Sequence, residues 1–212
     1  MTADLPTPVK LYTCSTAPNP RRVHAFMAEK GIELPLVEID LMTRDHYAPE
    51  HLEKFGTHHL PALELSDGST LTETIAICRF LEGLYPEPNL MGRDHHEAAR
   101  VEMWHRRVEF MVMMPTAYVF RHMHPSMATL EDQEPVLSEW HRKPLAHGLE
   151  LLNKRLGEAP YLAGDRFTIA DISAYMALSF MRVTKIPVPE DHTNTLRWQA
   201  ELAERPSLAR KR

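Results

Sequence analysis

The sequence predicts two parts of different class: an α/β unit in the order β-α-β-α-β-β-α over residues 1–85, then an all-α unit over 93–212. Three observations predict it. Short apolar strands alternate with helical stretches as far as residue 85; the segment "PEPNLMGRD" at 86–94 then breaks the pattern with two prolines and a glycine; every periodic stretch beyond it has the spacing of a helix. At 212 residues and 43% hydrophobic content, the chain can bury a proper core.

The elements follow in order. "VKLYT" reads as a strand, 19–31 as a helix ended by Gly31, "LPLVEID" as a strand, 46–55 as a polar helix and "PALEL" as a strand. "SDG" turns the chain into a short strand at 69–71, and "TETIAICRFLEGLY" sets Ile77, Phe80, Leu81 and Leu84 on one helical face. Beyond the linker at 86–94, helices are expected near 93–123, 131–157, 168–184 and 191–205, with Pro115 kinking the first or marking a register change in it. Thr168 and Asp171 stand in capping-box positions, Phe167 and Ile172 in those of a hydrophobic staple. Ile169, Ile172, Met176 and Phe180 then make this the core helix of the second unit.

Charge and composition exclude several classes. A formal net charge of −5 is the wrong sign for a phosphate-binding surface, so no nucleic-acid partner is expected. No basic start and apolar stretch open the chain as in a signal peptide, and the longest apolar run, "FMVMMPTAYVF", falls short of the roughly 20 residues of a membrane span. A cytoplasmic chain with no membrane partner is the expectation, its two cysteines, Cys14 and Cys78, reduced. The paired histidines at 58–59, 95–96 and 122–124 lack the i, i+4 spacing and nearby carboxylate of zinc enzymes, so no metal is expected.

The stretch "CSTAPNPRRV" joins the first strand to the first helix. Such a turn aims free backbone N–H groups and a positive dipole end at its occupant, which suits an anion or a thiolate. Ala17 stands where a reactive side chain would be expected. Cys14, at the end of the strand, reads as a small buried apolar residue.

A β-α-β-α-β-β-α layout followed by an all-helical domain resembles the glutathione transferases, and three motifs carry the resemblance in order: Leu60-Pro61 and the Glu73-Thr74 pair within "HLPALELSDGSTLTETIAICRFLE", then "YLAGDRFTIADI". The likeness runs from about residue 9 to about 206. It implies a thioredoxin-like, glutathione-binding first domain and an all-helical second domain lining the electrophile site. It also implies that Pro61 is a cis-proline, that Leu60 before it pairs with extended glutathione as an added strand would, and that Glu73 and Thr74 hold the γ-glutamyl end. Thr74, at a helix start, offers a hydroxyl and an N–H to a carboxylate. His59 stands where the family reaches the glycyl carboxylate, and Ala17 and Arg22 complete the residues assigned to glutathione.

From "PNPRRV" and "AEKG" through "FRHMHP", the sequence looks most like an atypical yeast and bacterial group of the family with a small residue at the place of Ala17. There a serine and a histidine of the second domain assist thiol ionisation; here those places hold Ala117 and Arg121. Thr116 and His122 stand one position away, Arg121 offers direct charge, and Asn19 offers a side-chain amide on the first helical turn. These four are the catalytic candidates, with the nucleophile supplied by the sulfur of glutathione. Met111, Met114 and Tyr118 are assigned to the site of a small apolar electrophile. The resemblance implies conjugation by a homodimer, with glutathione as co-substrate. A glutathione-dependent isomerase or peroxidase, or a non-catalytic glutathione-binding protein, stays open beside it.

Overall fold

In the first unit a mixed sheet of four short strands, with the first strand of the chain between the second and the third and the fourth beyond the third, carries two helices that pack against each other. The structure is a computed structural model that describes residues 5–209; its chain divides into two units, Met1–Pro88 and Asn89–Arg212. β1 (Pro8–Thr13) runs parallel to β2 (Leu36–Glu38) and antiparallel to β3 (Ala62–Leu65), which pairs antiparallel with β4 (Thr70–Thr72). The α/β order expected from the sequence is the one found, and helices alone build the second unit.

Helix α1 (Pro18–Lys30) begins on a proline, whose fixed φ suits a first helical position, and ends at Gly31 with φ 64°. The polar stretch expected as one helix at 46–55 is divided. A 3₁₀ turn, Asp45–Tyr47, is followed by Ala48 in an extended conformation and only then by α2 (Pro49–Phe55). The cause is Pro49, which disfavours helical backbone in the residue before it. β2 is also shorter than "LPLVEID", since pairing with β1 reaches only Leu36, Val37 and Glu38.

Helix α3 (Thr74–Leu84) lays Ile75, Ile77, Cys78 and Leu81 in the core, opposite Val23, Ala25, Phe26 and Met27 of α1. Between the two helices the fully buried Lys30 ammonium lies 2.7 Å from the Glu82 carboxylate and donates to the carbonyls of Tyr85 and Pro88. Burial pushes the Cys78 thiol up to about 12, so that sulfur stays protonated and inert.

The stretch 93–123, expected as one helix, is α4 (His95–Val108), a wider π-turn at Glu109–Met113 and α5 (Met114–Met123). Asp94 caps α4 by accepting from the Glu97 N–H at 2.8 Å. In the π-turn the Met114 N–H reaches back five residues to the Glu109 carbonyl. Pro115 has no N–H with which to continue an ordinary helical ladder to Met111, and the change of register falls immediately before it. α6 (Pro135–Glu158) runs against α5 and the π-turn.

Helix α7 (Ile169–Met181) is the buried centre of this unit, and α8 (Thr193–Ala203) follows. The capping box is present: Asp171 accepts from the Thr168 N–H at 3.0 Å and hydroxyl at 3.1 Å, and also from the Leu162 N–H at 3.0 Å. Burial outweighs these donors and raises the Asp171 carboxyl to about 6. Arg166 pairs with Glu97 and with the Asn89 carbonyl, and its guanidinium holds Glu97 down at about 2. Among the described residues no helix is long and apolar enough to cross a membrane.

Candidate active site

Strand register gathers the candidate anion-binding features of the first unit at one end of the sheet. Ala62, the first residue of β3, pairs with Tyr12 near the end of β1 on one side and with Thr72 at the end of β4 on the other. The chain leaves β1 through the turn to α1, and leaves β4 through Glu73 alone into α3. Two helix N-termini, those of α1 and α3, therefore flank the start of β3, where Leu60 and Pro61 are joined by a cis peptide.

The two N-termini differ in what they offer. α1 has prolines at its first and third positions, so among its first three residues only Asn19 carries a backbone N–H. The Asn19 side chain adds a further donor. Its Oδ1 accepts from the Arg22 guanidinium at 2.8 Å, which leaves the NH₂ end of the amide turned away from that contact. Arg22 itself is only 3% exposed, and Asn19 Oδ1 is one of the groups its guanidinium holds. Ahead of the helix, the Ala17 N–H closes a turn onto the Cys14 carbonyl at 3.0 Å, and the Ser15 N–H and hydroxyl both donate to Glu38 of β2. Cys14 is buried, with its sulfur 3.3 Å from the Thr16 hydroxyl.

In α3 the first bond from within the helix to the capping residue comes from the Ile77 N–H, which donates to the Glu73 carbonyl. The N–H groups of Thr74, Ile75 and Ala76 open the helix, a full set of first-turn donors for a carboxylate. Thr74 is buried to 5% exposure, and Glu73 takes φ 67° and ψ 119°, a left-handed φ that a glutamate adopts only at a cost. Nothing in the sequence around Glu73 signals that conformation. His59 lies exposed on the loop before Leu60, its N–H held by the Thr57 hydroxyl at 3.2 Å. His58 instead stacks on Tyr47 at 4.4 Å and contacts the His46 carbonyl through Nδ1.

In the second unit the candidates on α5 fall on two different faces. Met114, Tyr118, Arg121 and His122 share a partly exposed stripe, whereas Thr116 is wholly buried on the side of Pro115 and Val119. The structure thus does not bring Thr116 together with His122; at helical spacing the two point about 120 degrees apart. Arg121 is engaged with Glu131 at 3.4 Å. His122 accepts the Glu134 N–H at Nδ1, 3.1 Å away, and its ring lies nearly parallel to Tyr118. Met111 belongs to the π-turn and is half-buried. Sequence reasoning missed His141 of α6, whose ring stacks on Tyr118 at 4.1 Å and 5°. The signal was faint, a histidine at one polar position of a long helix. Among the described residues no three histidine, cysteine, aspartate or glutamate side chains gather as a metal-binding group.

Comparison with known proteins bears directly on this arrangement. Residues 16–84 match the family model for the glutathione S-transferase N-terminal domain, and residues 102–209 match that for the C-terminal domain. This chain belongs to the glutathione S-transferase family. The transferase is 32% identical over 203 residues to glutathione S-transferase 2 of Saccharomyces cerevisiae, covering 93% of this chain and 87% of that protein. Its fold matches the crystal structure of Gtt2 from the same yeast with a TM-score of 0.89 at 31% identity, over 94% of this chain and 98% of that one. A solved glutathione S-transferase-I bound with the ligand lactoylglutathione is similar at 26% identity and a TM-score of 0.79, over 95% of this chain and 97% of that one. The transferase is therefore an enzyme of the Gtt2-like group, with a thioredoxin-like first domain and glutathione as co-substrate.

Proposed function

We propose that this transferase conjugates the thiolate of glutathione to small apolar electrophiles, and that the end of the sheet described above is where glutathione binds. The single observation that carries the reading is the register of Ala62 between Tyr12 and Thr72, which sets the N-termini of α1 and α3 on either side of β3. Glutathione is extended and anionic. Its γ-glutamyl carboxylate fits the first-turn donors and hydroxyl of Thr74, with Glu73 beside it for the amino group. Its main chain fits alongside Leu60 and Pro61, and its glycyl carboxylate fits His59. The sulfur then falls to the α1 end, near Ala17, where the Asn19 N–H and side-chain amide supply donors to a thiolate.

No protein side chain serves as nucleophile in this reading. The sulfur attacks an electrophilic carbon, and as the S–C bond forms that carbon releases its leaving group with the bonding pair or, in an addition, a π bond opens and its pair takes a proton from water. Met111, Met114 and Tyr118 of the second unit offer an apolar surface suited to such an electrophile, and His122, whose Nε2–H remains to donate, is the preferred assisting group among them. Arg121 is held by Glu131 and Thr116 is wholly buried, so the assisting role falls to neither. We further propose a homodimer acting in the cytoplasm, a compartment in which Cys14 and Cys78 remain the free thiols they are here.

Thr74→Ala tests the site. Losing a charge-assisted hydrogen bond weakens glutathione binding by about 1.5–3 kcal/mol. Calorimetry that finds the affinity unchanged, in a variant that still folds, removes the assignment.

A further inference from the structure

Two imidazoles lie nearly parallel to the Tyr118 ring. His141 of α6 lies parallel to it at 4.1 Å and 5°, and His122, one turn along α5, lies at 5.9 Å and 15°. Neither imidazole is loose. His141 Nδ1 stands 2.7 Å from the Leu137 carbonyl, which only accepts, so Nδ1 carries the proton and donates. His122 Nδ1 receives the Glu134 N–H and is therefore the unprotonated nitrogen of the neutral ring, which places its own N–H on Nε2. The Trp140 indole closes on His141 edge-on at 5.1 Å and 77°. Tyr118 is only half-buried, so the part of the phenol that His141 does not cover stays open to a ligand.

We propose that His141 is a specificity-determining residue of the transferase: by covering one face of Tyr118 it denies that face to flat aromatic substrates and leaves the uncovered part of the phenol for recognition. The proposal rests on the assignment of Tyr118 to the electrophile site. His141 is a positioning residue in this account, acting through Tyr118 and taking no part in bond making. Its effect falls on which second substrate is bound, and leaves glutathione binding and the conjugation step alone.

The test compares the affinities of two conjugates, flat S-dinitrophenylglutathione and flexible S-hexylglutathione, for the wild-type chain, His141→Ala and His141→Phe. Both share the glutathione part, so their ratio isolates the wall. Removing the imidazole opens the Tyr118 face, and the ratio shifts toward the flat conjugate by about threefold to tenfold, the size of one aromatic stacking contact. His141→Phe restores the covering ring and returns the ratio to the wild-type value, which a general loss of packing would not do. An unchanged ratio in His141→Ala, or a ratio shifted equally in both variants, overturns the role of His141 while the transferase assignment stands. Failure of the wild-type chain to bind either conjugate overturns the proposed site and this inference together.

Discussion

Gly148 of α6 lies so close to the main-chain carbonyl of Met111 that a Cβ at 148 would stand 2.4 Å from that oxygen. The contact belongs to the same helix pair as the Tyr118–His141 stack, which lies seven residues further along the chain from Met111 and seven residues back along α6. Both contacts therefore fall on one antiparallel stripe, about two helical turns apart. Met111 is also the residue whose carbonyl Pro115 cannot serve, so the glycine lets α6 approach where the π-turn has disturbed the ladder.

Gly148→Ala tests whether that approach matters. The added methyl meets backbone, which yields less readily than a side chain, so we expect a loss of about 1–3 kcal/mol, as for an overpacked core. Urea denaturation of the variant reads it. A variant as stable as the parent would mean that α6 shifts freely at this point.

Two carboxylates give opposite pH dependences. Asp171, raised to about 6 by burial, contributes stability that is full below its ordinary value of 3.8 and is lost as pH rises through 6. Glu97, lowered to about 2 by Arg166, contributes stability present above its ordinary 4.5 and lost as pH falls through 2. Asp171→Asn replaces one acceptor of the capping box with a donor and cannot titrate. The variant should lose about 1–3 kcal/mol near pH 4 and distinctly less near pH 8, measured against wild type in urea. A loss that grows with pH would contradict an Asp171 carboxyl raised by burial.

Much of this is legible in the sequence. The alternation up to residue 85, the proline-rich linker and the Thr168–Asp171 box follow from local rules of period, punctuation and capping, and the strand–turn–helix at Cys14–Val23 is legible by the same local rules. The π-turn at Glu109–Met113 is not legible, because Pro115 signals a disturbance without saying which hydrogen bonds change. Thr116 and His122 look interchangeable in sequence, and helical azimuth separates them. His141 becomes visible only when α6 is laid against α5, since a cross-helix stack has no local sequence signature. The conformation of Glu73 is likewise set from outside, by the one-residue passage from β4 into α3.

Glu73→Gly separates strain from function. Glycine adopts φ 67° without the penalty a glutamate carries, and even after its own entropic cost the variant should gain about 1 kcal/mol of stability. Its affinity for glutathione should fall by about tenfold or more, since a charged partner is removed. Thermal unfolding and calorimetry on one preparation give both numbers; a variant that keeps full affinity would take Glu73 out of the binding site.

Cys14→Ser asks whether the cysteine just ahead of the α1 turn is chemically involved. The side chain is buried against Thr16 and has no role in the proposed reaction, so conjugation should continue at close to the wild-type rate. Activity abolished in a folded variant would return the nucleophile to the protein.

In the proposed reaction the nucleophile belongs to glutathione and is ionised by its position at the start of α1. The most direct measurement is the ultraviolet thiolate absorbance of glutathione bound to the protein, followed as a function of pH. The thiolate should appear at a pH well below that needed for free glutathione, and Asn19→Ala should move it back toward the free value. Glutathione that binds but ionises as it does in solution would mean that the start of α1 does not activate the thiol and would leave a binding protein in the fold of an enzyme.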